Sequence, residues 1–207
     1  MDNRLRQLIS RWQKRNISGF VCPDKKSARE LLLELIPQSA SIGVSGSQTL
    51  QQLEAIEALQ SRGNRVFDQA RAKYKEESLR IRRQGAQADY YLASPNAIAE
   101  TGELIFFSAY GNRIAGVTYA DKAVVIAGVN KLVPTLTEAL KRARELATPL
   151  NCKRLQWNTP CFADGKCRQE VCLYPDYKRM CCQLLIVEAE ALESRMSVIL
   201  VEEELGF

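Results

Sequence analysis

The chain has no histidine among its 207 residues. That absence removes every scheme built on imidazole: Ser–His–Asp and Cys–His nucleophile pairs, and zinc sites with imidazole ligands. Acid–base work falls to Asp, Glu, Lys, Tyr or Cys. Long apolar runs are missing as well, since the longest fall far short of a membrane span. The N-terminal MDNRLRQLISRWQKRN is charged throughout and lacks the apolar core of a signal peptide. A cytoplasmic protein with no membrane span is expected. Charge of one sign is not in large excess: 29 Lys+Arg against 24 Asp+Glu leave a formal net charge of +5, which does not by itself indicate nucleic acid. Seven cysteines, an odd number, cannot complete a disulfide framework. In a reducing compartment, clustered cysteines are more often ligands or redox groups. A chain of this length buries a full core without such staples. Residues 1–207 are expected to form one domain.

What is present is an alternation of strand-length apolar runs with helical patterns. Residues 3–15 read as an amphipathic helix through Leu5, Leu8, Ile9 and Trp12. GFVC (19–22), SIGVS (41–45), RVFD (65–68), YYLAS (90–94), LIFFSA (104–109) and AVVIAGV (123–129) read as strands. The last is continuous enough for burial on both faces. One helix starts at Asp24 or at a Ser27–Glu30 capping box and stops at Pro37. Another runs from Ser47 through Leu50, Leu53, Ile56 and Leu59 to Gly63. A polar, basic helix covers 69–84, and a Thr135–Glu138 capping box opens a further one. MSVILVEEEL (196–205) is a strand expected to rejoin the sheet. The pattern predicts an α/β sandwich with a mostly parallel central sheet. After Pro149 it breaks, and residues 150–185 are expected to form a Cys-rich C-terminal insertion or flap.

Four stretches outside the cysteines bear on chemistry. SIGVSGSQTL (41–50) is a strand, a Gly/Ser turn and a helix start. Gly46, Ser47, Gln48 and Thr49 there suit an anion such as phosphate or carboxylate, the alternative being a tight turn with Ser47 as a simple cap. SPNAIAETGELIFFSAYGNRIAG (94–116) sets Asn96, Glu100, Thr101, Asn112 and Arg113 at the ends of a hairpin-like apolar pattern. Glu100 is a candidate for proton transfer, or a plain turn carboxylate. In GVNKLV (128–133), Asn130 and Lys131 follow the most buried-looking strand, where Lys131 either neutralises an anionic substrate or faces solvent. Residues 71–83 carry six Lys/Arg against two Glu. No nucleic-acid module accompanies them, so a solvated helix face is the better reading.

Five of the cysteines crowd into TPCFADGKCRQEVCLYPDYKRMCC (159–182), at Cys161, Cys167, Cys172, Cys181 and Cys182, with Cys152 upstream. Without histidine, a metal here would have thiolate ligands: zinc or an iron–sulfur cluster. The neighbouring Lys153, Arg154, Lys166, Arg168, Lys178 and Arg179 are expected to favour thiolate and offset cluster charge. A redox disulfide and inert thiols are the alternatives, and no C-x2-C pair is present to decide among them.

Together, SIGVSGSQTL, NAIAETGEL, GNRIAG, VVIAGVNKLV with its following EALKRAR, NCKRL, TPCFADGKC and LVEEELGF resemble the LUD-domain family, the lactate utilisation proteins. The resemblance runs from about residue 5 to the C-terminus. It implies a single LUD-type domain with a fold like that of ribose-5-phosphate isomerase and CoA transferases, a Rossmann-like three-layer α/β sandwich. It implies phosphate or carboxylate binding at Gly46–Thr49. It also sets Glu100-Thr101-Gly102 beside the catalytic Glu–x–Gly of CoA transferases. Some members belong to iron–sulfur systems that oxidise L-lactate to pyruvate, which implies a 4Fe–4S cluster and iron–sulfur partner subunits. Cys161 and Cys167 match the family's thiol arrangement. The family's following C-x2-C is stretched here to Cys167-x4-Cys172, and Cys181 and Cys182 compete for the last place. Three functions follow. The first is a redox-associated protein binding a lactate-like or phosphorylated anion and a metal centre. The second is an isomerase or transferase using Glu100 as acid/base or nucleophile. The third is a thiol-based redox sensor or assembly factor.

Overall fold

The structure is a computed structural model that describes residues 2–207. Its strands are β1 (Ser18–Cys22), β2 (Ser41–Val44), β3 (Arg65–Phe67), β4 (Tyr90–Ala93), β5 (Ala97–Ala99), β6 (Leu104–Ser108), β7 (Lys122–Gly128), β8 (Leu132–Val133), β9 (Gln183–Val187) and β10 (Met196–Val201). Its helices are α1 (Asn3–Lys14), α2 (Lys25–Leu35), α3 (Gln48–Gln52), α4 (Ala55–Ser61), α5 (Lys75–Gly85), α6 (Asn112–Tyr119), α7 (Leu136–Arg142), α8 (Thr148–Arg154) and α9 (Pro160–Asp164).

Six strands form a wholly parallel central sheet in the order β1-β10-β7-β4-β2-β3. The α/β reading with a parallel central sheet therefore holds, and β10 rejoins the sheet between β1 and β7. Strands β7 and β10 show why these apolar runs sit at the centre. Val124 and Ile126 of β7, with Ile199 and Val201 of β10, face a core shared with Leu32, Leu50 and Leu59. Ala123, Val125 and Ala127, with Val198 and Leu200, face the opposite core against Leu8, Trp12 and Phe106. The period of two thus buries both faces.

The 94–116 region contributes to a second sheet, of order β8-β5-β6-β9, that the sequence pattern did not separate from the first. Its β5–β6 pair is the antiparallel hairpin expected from the apolar pattern. Its outer face packs on Ala139 and Ala143 of the α7 region. Of the two starts open to α2, Asp24 is the cap, accepting from the Ser27 N–H at 2.7 Å. Two local expectations change. The helix expected over 47–63 breaks into α3 and α4, because Glu54 takes a left-handed backbone with φ 54°. The basic helix expected over 69–84 splits into a short 3-10 turn, Gln69–Arg71, and α5. Among the described residues, no helix is long and apolar enough to cross a membrane.

Candidate functional site

Parallel pairing puts the carboxyl ends of β2, β4 and β7 on one edge of the sheet. The loops leaving them carry Ser45–Thr49, Ser94–Asn96 and Val129–Lys131, and this is where ligands gather in such sheets. Lys131 lies in a 3-10 turn and is 3% exposed. Its ammonium donates to Ser94 Oγ at 2.8 Å, Thr49 Oγ1 at 3.0 Å and the Pro95 carbonyl at 3.1 Å. All three acceptors are neutral. Burial, reinforced by the nearby Arg142 and Arg113 guanidiniums, pulls its pKa down to about 7.

Those two arginines converge on the same loops. Arg142, from α7, donates to the Asn96 carbonyl at 2.6 Å and to the Asn130 carbonyl at 2.9 and 3.2 Å. Arg113, from α6, donates to the Gly46 and Phe107 carbonyls at 3.1 Å each and to Asn96 Oδ1 at 3.4 Å. Among the described residues, none of the ion pairs includes Lys131, Arg113 or Arg142. The site therefore has three cations without a protein carboxylate to balance them.

Gly46, Ser47, Gln48, Thr49, Asn96, Arg113 and Lys131 line one small pocket of about 30 Å³, together with Ser94 and Phe207. The Ser47 hydroxyl caps α3, accepting from the Leu50 N–H at 3.3 Å. With the Gln69 amide oriented to satisfy its neighbours, its oxygen accepts from the Gly46 N–H at 3.0 Å. With only five residues in α3, the positive charge of this pocket comes from side chains rather than from a helix end. Asn130 stands behind the pocket wall. Its Oδ1 accepts from the Leu205 N–H at 3.1 Å and its Nδ2 donates to the Gly206 carbonyl at 3.2 Å, pinning the C-terminal segment. Asn112 faces a neighbouring chamber and accepts from Arg82 at 3.2 Å. Glu100 and Thr101 fall at the opposite end of β5 from Asn96. There Glu100 pairs with Arg4 at 2.5 Å and Thr101 donates to Glu103. Ser94 and Arg142 gave no local signal in the sequence: one follows a strand like any turn serine, and the other lies among several basic residues of one helix.

Five thiols line a second, narrow pocket: Cys152, Cys161, Cys167, Cys172 and Cys181. All seven cysteines are free. Cys182 is exposed and points away, its Sγ donating to the Arg179 carbonyl at 2.9 Å. Cys181 is therefore the late cysteine that faces the others. The expected thiolate-favouring effect of the basic residues is outweighed. Burial pushes the Cys167 and Cys172 thiols up, against a smaller downward pull from Arg179. Burial likewise pushes Cys152 up to about 12. The nearby Cys181 sulfur raises the pKa of Arg179, while Lys153, Lys166 and Lys178 stay exposed. Among the described residues, no group of three or more His, Cys, Asp or Glu is gathered tightly enough to hold a metal ion.

Residues 5–201 match the sequence family described as the LUD domain. The chain belongs to the LUD-domain family. A solved structure of a DUF162 family protein from Deinococcus radiodurans is similar to this LUD domain over 96% of each chain, with a TM-score of 0.55 and 10% identity. At that identity the likeness concerns the fold. No curated protein matches the sequence. The family match spans both the β2, β4 and β7 loop edge and the thiol pocket.

Proposed function

We propose that this LUD domain binds a small anionic metabolite, a lactate-like carboxylate or a phosphorylated compound, at Lys131. We further propose that it holds a thiolate-ligated iron–sulfur centre on Cys161, Cys167, Cys172 and Cys181, in the service of cytoplasmic redox metabolism of the lactate-utilisation type. One observation carries the first half: Lys131, Arg113 and Arg142 converge at the carboxyl edge of the sheet without an ion-paired carboxylate. An anion in the pocket would supply the missing charge and offset the desolvation of the Lys131 ammonium. With its pKa near 7, Lys131 also exchanges a proton readily near neutrality. Proton transfer in this pocket would fall to Lys131 and not to Glu100, which is held by Arg4 at the far end of β5.

The thiol arrangement supports the second half. Four sulfurs each about 2.3 Å from one zinc would stand roughly 3.8 Å apart. Here Cys161, Cys167, Cys172 and Cys181 line one cavity, the number of thiolates that a 4Fe–4S centre or a zinc ion takes. Arg179 beside Cys181 supplies a positive neighbour for the negative charge of four thiolates. Such a centre, when bound, supplies one-electron transfer. The protein's part is to exclude water around it and to hold the four sulfurs. Protein purified without oxygen should contain iron and show broad visible absorption. Colourless protein free of iron would end this half of the reading. Calorimetry with L-lactate and with inorganic phosphate tests the first half: binding that Lys131→Met leaves unchanged would exclude the pocket.

A further inference from the structure

A chamber of about 230 Å³ opens beside the anion pocket and shares Gly46, Arg113 and Asn151 with it. A three-carbon acid seated at Lys131 leaves it unfilled. The walls combine flat rings with positive charge, and no Asp or Glu lines them. The Arg82 guanidinium lies over the Tyr110 ring at 4.7 Å, and Tyr110 meets Trp157 edge-on at 5.9 Å between centroids. Arg154 donates to Asn151 Oδ1 at 2.9 and 3.2 Å and is ion-paired to nothing among the described residues.

We propose that the chamber is a second subsite and that the ligand is of the nucleotide class: a heteroaromatic ring beside Tyr110 and Trp157, joined to a phosphate that reaches Arg113 and Lys131. The ring places a π face near the Arg82–Tyr110 stack. Three arginines exceed what one carboxylate would balance, which favours a phosphate over an aryl hydroxy acid. The proposal takes its phosphate position from the anion reading above.

The test is calorimetry on the full chain below pH 7 with three probes: adenosine monophosphate, inorganic phosphate and adenosine. The nucleotide should bind about 10- to 100-fold more tightly than phosphate, the range expected for one stacked base. Its binding should also alter Trp157 fluorescence, because the other tryptophan, Trp12, is wholly buried and donates to the Gly102 carbonyl at 2.9 Å. Arg82→Ala and, separately, Trp157→Leu should bring the nucleotide down to the phosphate level while phosphate binding stays as it was. A nucleotide no tighter than phosphate, or an advantage that survives both variants, overturns the proposal. Lys131→Met separates it from the anion reading. Loss of both ligands there, with neither lost in Arg82→Ala, upholds the anion pocket and overturns the chamber. Nucleotide binding that depends on Arg82 and not on Lys131 upholds the chamber and overturns the anion pocket.

Discussion

Lys131 concentrates the energetic conflict of the molecule in one side chain. The folded protein holds its ammonium near pKa 7, against an ordinary value of 10.5, so between those values the unfolded chain binds the extra proton. Stability therefore rises as pH climbs from about 7 toward 10.5, and the penalty is fully present below 7. Lys131→Met removes that penalty, and Ser94 Oγ still donates to Thr49 Oγ1 at 3.1 Å. The variant should melt above the parent near pH 6, with the gap closing toward pH 10, as thermal scans at several pH values will show. The same variant should bind phosphate roughly 10- to 100-fold more weakly, the loss of one charge-assisted contact. In the parent, phosphate affinity should fall as pH passes above 7, by up to about tenfold per unit; a flat calorimetric profile would remove Lys131 from the contact. The place of Lys131 after a buried strand was readable in the chain. Its partners were not, because Thr49 and Ser94 lie 82 and 37 residues away and only strand order makes them neighbours.

At the scale of elements, local rules were most legible where a cap specifies the chain. Thr135 and Glu138 form the capping box their spacing predicts, at 3.1 and 3.2 Å. Thr135→Ala should cost about 1 kcal/mol, read as a lower denaturant midpoint. Since α7 carries Arg142, weaker anion binding should accompany it. Gly116 lets α6 lie directly on β4: a Cβ there would stand 2.2 Å from the Tyr91 ring. Gly116→Ala should destabilise by about 1–3 kcal/mol through overpacking, and an unchanged melting temperature would contradict this packing. The break at Glu54 and the second sheet escaped sequence reasoning for one reason. Leu50, Leu53 and Leu59 fit a single helical stripe, and the β5 and β6 runs fit either sheet. Tertiary packing chooses between such equivalent patterns.

At the scale of the molecule, the two pockets are joined through one element run. Met180 lines both the thiol cavity and the chamber beside the anion pocket. Cys161→Ser, Cys167→Ser, Cys172→Ser and Cys181→Ser should each lower iron content in protein purified without oxygen, whereas Cys182→Ser should leave it intact; equal loss in all five would overturn the ligand choice. The geometry behind that choice was only half legible, because spacing lets Cys181 and Cys182 compete and the backbone's direction decides between them. The helical run from α7 to α8 passes through a π turn at Ala143–Ala147, closed by Thr148 Oγ1 donating to the Ala143 carbonyl at 2.8 Å. That turn holds one residue more than an α turn, so it takes up a residue without turning the helix beyond it. Losing a residue from the regular turns on either side would rotate Asn151 and Cys152 by about 100° relative to Arg142, whereas losing one from the π turn would leave a plain α turn and nearly the same phase. A folded protein would remain in both cases, and only the first would have its anion pocket and its thiols turned out of step.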